Sequence, residues 1–226
     1  MGDVTSLRVG YLGPSGTFTE AALLTQTDLA SAEHVLYRSH SDVLHNTSTG
    51  EIDFGFCAIE NAIEGTVNVV QDTLAFDSEL LIQREVVIPI TMNLLVKTGS
   101  SLSDVRKVIS YPHALAQVRS FLRENLPDAD LEAANSTAHA AHLLSESDEL
   151  NVAAVGTSLA AEKYGLDIVA EGIEDHQGNK TRFVLIARDG IPAPTGHDKT
   201  SVVVFQQSDR PGSLSVSYTH LRAHET

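Results

Sequence analysis

The chain has 226 residues, 42% of them hydrophobic, and a formal net charge of −15. That length suits one large domain or two small ones sharing a cleft, and the charge argues against nucleic acid or an anionic membrane as partner. No apolar run approaches the roughly 20 residues that would span a bilayer. The single cysteine, Cys57, excludes an intrachain disulfide and a cysteine-based metal site. Its place in Phe54-Gly-Phe-Cys-Ala-Ile59 reads as a buried small hydrophobe. The start, Met1-Gly-Asp-Val-Thr-Ser6, has no basic region followed by an apolar one, so a cytoplasmic protein is expected. An anionic ligand would need local basic groups or backbone N–H groups to overcome the overall field.

In chain order, Leu7 to Leu12 reads as a buried strand and Thr17 to Gln26 as a helix. Phe54 to Ile59 is a second buried strand, and Gly65 to Phe76 has a helical apolar pattern. Short strands follow at Val108 to Ser110, Leu131 to Ala134 and Val152 to Gly156, with helices starting near Pro112, Thr137 and Ser158. Strand then helix, repeated, predicts α/β architecture with mainly parallel sheets and helices on both faces. Two extended segments, Leu80 to Lys97 and Ile168 to Arg188, break the rhythm and read as crossovers between two lobes. The first lobe is expected over about 7–85 and 176–190, and the second over about 86–175. Residues 191–198, with two prolines and a glycine, read as a linker. Thr200 to Phe205 starts a new strand, Ser208 to Leu214 reads as a turn entering a helix, and Ser215 to Thr226 has no apolar period to continue it.

Ligands of open α/β sheets bind outside the carboxyl ends of the strands, where helix N-termini offer free N–H groups and partial positive charge. Several turns carry capping chemistry suited to that place. Thr17 and Glu20 fit a capping box, and Pro112 suits a first helical turn. Ser136-Thr137 and Thr157-Ser158 precede alanine-rich helices. Each has a plainer reading as a helix cap and nothing more. The Gly13-Pro-Ser-Gly16 turn lacks the lysine of a P-loop. Glu60 and Glu64, four apart, read either as two acids on one helical turn or as a solvated pair. His113, His139 and His142 have no carboxylate at metal-ligand spacing. These residues alone support an acidic-metabolite binder or enzyme of two α/β lobes.

Four stretches in order add a family resemblance. They are Tyr11-Leu-Gly-Pro-Ser-Gly-Thr-Phe-Thr-Glu20, Ala58-Ile-Glu-Asn-Ala-Ile-Glu-Gly65, Ser110-Tyr-Pro-His-Ala-Leu-Ala-Gln117 and Asn179-Lys-Thr-Arg-Phe183. Together they resemble the motif set of prephenate dehydratases over about Arg8 to Arg188. Ala58, Ala62, Tyr111 and His113 depart from the family's usual residues. The resemblance implies two Rossmann-like lobes around a cleft, like the type II periplasmic binding proteins. It also implies decarboxylative dehydration of prephenate to phenylpyruvate, water and CO2 in phenylalanine biosynthesis, a carbon–oxygen lyase reaction with no cofactor and no metal. It points to Thr181, Glu60 and Arg182 as catalytic residues: Thr181 for hydrogen bonding to the departing oxygen, Arg182 for a carboxylate, and Glu60, Glu64 or His113 as partners in proton delivery. Ser15, Gly16, Thr17, Asn61, Glu64, Ser110, His113, Gln117 and Phe183 form the implied substrate-binding set, joined by Ser136 and Thr137 at their capped helix start.

Beyond the linker, residues 199–214 resemble the start of an ACT domain, a ferredoxin-like phenylalanine-sensing module. Its remaining strands and its Glu-Ser-Arg-Pro motif are absent, and residues 215–226 read as a foreign or out-of-frame tail. Phenylalanine regulation is therefore not expected, while a homodimer or tetramer is implied by the family. Two other functions fit the same motifs: arogenate dehydratase, and a non-catalytic small-acid-binding or regulatory protein of the same fold.

Overall fold

A computed structural model describes residues 7–204, 211, 212, 215 and 219. The described residues up to Pro192 form one compact unit, and those from Ala193 onward a separate one.

The first sheet is built from β1 (Arg8–Leu12), β2 (Glu33–Tyr37), β3 (Phe54–Asn61), the two-residue β4 (Gly65–Thr66), β5 (Leu81–Pro89) and a strand returning from the end of the unit. The second sheet is built from β6 (Asn93–Lys97), β7 (Lys107–Ser110), β8 (Asp130–Ala133), β9 (Val152–Gly156) and β10 (Leu166–Ala170). The returning strand is β11 (Lys180–Ala187), which lies between β3 and β5, giving the order β2-β1-β3-β11-β5. The second sheet runs β10-β6-β9-β7-β8. The chain thus forms two α/β lobes.

The sheets are mixed, which corrects the expectation of mainly parallel ones. β1 pairs parallel with β2 and β3, but β11 runs antiparallel to both its neighbours. In the second sheet β7 pairs parallel with β8 and β9, while β6 runs antiparallel to β9 and β10. The crossovers explain this. β5 leaves the first sheet for the second lobe and β11 returns from it, so β11 runs against β5 and β3, while β6 enters the second sheet from the first lobe and runs against β9.

Alternation along these strands fills both faces of each sheet. In the first, Phe56, Phe183 and Leu185 face α1 (Phe18–Leu24), while Cys57, Val184 and Ile186 face α2 (His40–Thr49). Cys57 is fully buried, as expected, and burial pushes its thiol up to about 12. In the second sheet Leu94, Val96 and Val155 lie on one face, and Leu95, Ile109 and Ala154 on the other. The helices of this lobe are α4 (Pro112–Gln117), α5 (Arg119–Asn125), α6 (Thr137–Glu146) and α7 (Ser158–Tyr164).

Several element expectations are corrected. β2 and α2 fall in a stretch given no element, although Ser39 caps the helix by accepting from Asp42 N–H at 3.1 Å and Gly50 closes it at φ 82°. Residues 65–76 are not one helix but β4, the short α3 (Asn68–Asp72) and a π-turn. Thr200–Val204 forms no strand, having no sheet partner among the described residues. Phe205 to Arg210, Ser213, Leu214 and most of 215–226 lie outside the described residues. Ser215 and Thr219 are helical, against the expectation for that segment, and the Thr219 hydroxyl donates to the Ser215 carbonyl at 2.8 Å. No helix among the described residues is long and apolar enough to cross a membrane.

Candidate active site

The carboxyl ends of β1, β3, β7 and β8 converge on a cavity of about 380 Å³ between the two sheets, within the range of small-molecule sites. Its apolar floor comes from both lobes: Leu12 and Phe18 from the first, Ile90 and Met92 from the crossover beside β6. Its polar wall on the first lobe is Asn61, Glu64, Asn179 and Thr181. Opposite stand the start of α4, with Tyr111, His113 and Gln117, and the start of α6, with Asn135, Ser136 and Thr137. No lysine or arginine is among the lining residues. The positive potential available to an anion from these lining residues is therefore that of helix N-termini.

Register sets the first wall. β11 opposes β3 with Thr181 across from Asn61 and Arg182 across from Glu60. Thr181 is 8% exposed, and its Oγ1 accepts from Asn61 Nδ2 at 2.8 Å. The same amide donates to Asn179 Oδ1 at 2.9 Å, while Asn61 Oδ1 accepts the backbone N–H groups of Ile63 and Glu64 at 2.9 Å each. Across the cleft, Gln117 donates to Glu64 Oε1 at 2.8 Å and accepts from Asn179 Nδ2 at 3.1 Å. Glu64 also meets His113 Nδ1 at 2.5 Å, and the His113 ring stacks on Tyr111 at 5.2 Å. Ser136 caps α6 by accepting from His139 N–H at 2.9 Å.

Asn61, Glu64, His113, Gln117, Ser136, Thr137 and Thr181 are thus brought together as the sequence suggests. The other expected site residues do not line the cavity. Successive residues of a strand face opposite sides, so Arg182 and Glu60 turn away from it. They pair at 2.6 Å, with Glu85 a further 3.5 Å partner of Arg182. Glu60 lies at the end of β3 and Glu64 in the turn after it, so the two are not on one helical turn. Phe183 is a core residue, stacked on Phe56 at 5.5 Å. Ser110 is fully buried and donates to the Val155 carbonyl at 2.8 Å, fastening β7 to β9.

Ser15, Gly16 and Thr17 build a seam to α7 instead. Gly16 adopts φ +89°, and a side chain there would also meet the Ala160 backbone at 3.1 Å, so glycine allows the turn to touch the helix. The Thr157 hydroxyl donates to the Gly16 carbonyl at 2.7 Å and Tyr164 to the Ser15 carbonyl at 2.9 Å. Thr17 caps α1 by accepting from Glu20 N–H at 3.3 Å. The capping box is only half formed, because the Glu20 carboxylate reaches past Thr17. It accepts from Gly16 N–H at 2.6 Å, the Ser15 hydroxyl at 2.9 Å and Lys163 Nζ at 2.5 Å. Burial would raise the Glu20 carboxyl, but Gly16 N–H, Lys163, Tyr11 and Ser15 together outweigh it and hold it below its ordinary value. Burial and the Glu20 charge in turn push the Tyr11 phenol up.

The residues missed from sequence are the apolar floor, Tyr111 and Ala114 at the start of α4, Asn135 before α6, and Asn179. Ile90 and Met92 sit in a stretch that signals only extended chain. Asn179 opens the stretch Asn179-Lys-Thr-Arg-Phe183, two residues before Thr181, but its contacts are decided across the cleft.

Residues 9–191 match the family model described as prephenate dehydratase. A prephenate dehydratase of Mycobacteroides abscessus is 40% identical over 217 residues, covering 93% of this chain and 70% of that protein. The prephenate dehydratase of Bacillus subtilis is 36% identical over 217 residues, covering 92% and 76%. The crystal structure of the Arthrobacter aurescens prephenate dehydratase in complex with L-Phe is 38% identical. It covers 96% of this chain and 72% of that one, with a TM-score of 0.87.

Proposed function

The chain belongs to the prephenate dehydratase family, and from that premise we propose that its cleft converts prephenate to phenylpyruvate, water and CO2 in phenylalanine biosynthesis. The observation that carries the mechanism is the Thr181 hydroxyl: it lines the cavity while its oxygen accepts from Asn61. Its own hydrogen is thereby left to point at a substrate oxygen.

In the reaction the bond from ring carbon to carboxylate breaks, and its electron pair enters the ring. The C–O bond across the ring breaks, and the departing hydroxyl takes a proton to leave as water. Aromaticity drives the step, so the protein must hold two carboxylates, flatten the ring against an apolar surface and assist the leaving oxygen. The N-terminus of α6 and His113 suit the carboxylates. Leu12, Phe18, Ile90 and Met92 suit the ring. Thr181 hydrogen-bonds to the leaving oxygen as its charge develops. A threonine hydroxyl is too weak an acid to surrender its proton, so the Glu64–His113 pair, which bridges the Thr181 wall and the wall opposite, is assigned to proton delivery. Arg182 and Glu60 act at one remove, by holding the strands that present Thr181 and Asn61.

The chemistry is that of a carbon–oxygen lyase and is redox-neutral. In this reading the enzyme is cytoplasmic, residues 7–190 are the catalytic domain with lobes of about 7–85 plus 176–190 and 86–175, and residues 199–214 open an ACT-type segment. Incubation of the purified chain with prephenate, and separately with arogenate, tests the assignment. Rapid phenylpyruvate formation from prephenate is expected. Phenylalanine from arogenate alone would move the assignment to the sister activity, and no product from either would overturn it.

A further inference from the structure

Around Thr181 the hydrogen bonds close into a ring in which every donor points the same way. Asn61 Nδ2 donates to Asn179 Oδ1 at 2.9 Å, and Asn179 Nδ2 to Gln117 Oε1 at 3.1 Å. Gln117 Nε2 then donates to Glu64 Oε1 at 2.8 Å, and the Glu64 backbone N–H to Asn61 Oδ1 at 2.9 Å. The direction is not free to reverse. A second backbone donor, Ile63 N–H, also reaches Asn61 Oδ1 at 2.9 Å, so that atom can only be the oxygen. The Glu64 carboxylate fixes the other end as an acceptor. Asn61 therefore has two amide hydrogens to place, and Asn179 takes one. The second goes to Thr181 Oγ1 at 2.8 Å, which makes the hydroxyl an acceptor on its protein side and a donor toward the cavity.

We propose that Asn179 is a positioning residue for the dehydration: it closes this ring and so presets the Thr181 hydroxyl as a donor, conditional on the second lobe's Gln117 being in place. Asn179 is 4% exposed, on the loop that leads into β11, and its own backbone carbonyl accepts from Ile90 N–H at 2.9 Å. It is thus held from both crossovers at the point where the lobes meet. Amide groups do not relay protons readily, so the ring orients rather than conducts. A chain of aligned bonds polarises its members cooperatively, so breaking one link weakens the grip on Asn61. The inference rests on the reaction proposed above.

The test is a double-mutant cycle read by steady-state kinetics with prephenate. Asn179→Ala should lower kcat about tenfold, the effect of one well-placed hydrogen bond, with a smaller change in KM. In the Thr181→Ala background the same substitution should cost nothing further, because a residue that acts through another loses its effect when that other is gone. Equal losses in both backgrounds would overturn the proposal and make Asn179 an independent substrate contact. Asn179→Asp keeps the acceptor for Asn61 but forces Gln117 to turn its amide, opening the ring at Glu64. It should recover only part of the kcat lost in Asn179→Ala, because the link to Asn61 is kept while the ring is not, and it should raise KM, since it adds negative charge to a site for an anion. If Asn179→Ala fails to fold, Asn179→Asp decides alone: a kcat loss as large as that of Thr181→Ala sinks the inference. An active wild type with additive losses defeats only this inference, whereas an inactive wild type defeats the functional reading and the inference with it.

Discussion

Thr181 and Arg182 are neighbours in sequence with opposite fates, because a strand sends successive side chains to opposite faces. Thr181 faces the cavity and Arg182 faces Glu60 and Glu85. Thr181→Ala should therefore lower turnover of prephenate by roughly 10²–10⁴-fold, the range for assistance to a leaving group, while Thr181→Ser keeps much of the rate. Arg182→Met should behave differently. Its partly exposed ion pairs are worth only about 1 kcal/mol, so a small loss in urea midpoint is expected with KM for prephenate nearly unchanged. A large rise in KM with unaltered stability would restore Arg182 as a carboxylate ligand.

At the scale of elements, the turns that look like simple caps divide into two kinds. Ser136 caps α6 at the cavity. Thr157 caps α7 by accepting from Ala160 N–H at 2.9 Å, and its proton goes to the Gly16 carbonyl of the other lobe. One buried hydroxyl thus both starts a helix and fastens the two lobes. Thr157→Val, similar in shape, removes both bonds and leaves a buried carbonyl unpaired. It should cost about 2 kcal/mol in chemical denaturation. A loss below about 0.5 kcal/mol would show that the seam contributes little. Sequence periodicity located β1, β3, β9 and the starts of α4, α6 and α7, because continuous apolar runs and capping residues are local signals. It missed β2 and α2, whose hydrophobic residues are interleaved with polar ones, and it misread residues 65–76, where β4 pairs with β3.

For the whole molecule, the Glu20–Lys163 pair joins α1 to α7 across the seam. The Glu20 carboxyl is held below its ordinary value near 4.5. A group with a depressed folded value adds stability above its unfolded value and loses it as pH falls through the folded one. Glu20→Gln should therefore be less stable than wild type at neutral pH, by about 2 kcal/mol for a mostly buried pair with one partly exposed partner. The gap should close as the pH is lowered below about 4.5, followed by urea unfolding at a series of pH values. A gap independent of pH would mean that the carboxylate charge is not what holds the seam.

The sequence by itself determined the two-lobed α/β architecture, the crossovers, the buried Cys57 and seven of the residues that line the cavity. Those are written in local pattern: apolar runs for strands, capping side chains for helix starts, and motifs at strand ends where chain reversal must occur. Only the tertiary structure decided which motif residues face the cavity. That depends on strand phase, which sends Thr181 inward and Arg182 outward, and on docking, which gives Ser15, Gly16 and Thr17 to α7. It also depends on the meeting of side chains far apart in the chain, 120 residues in the case of Asn61 and Thr181. A hydrogen-bonded ring through Asn61, Glu64, Gln117 and Asn179 has no signature along the chain, since its members become neighbours only when both lobes have folded and met.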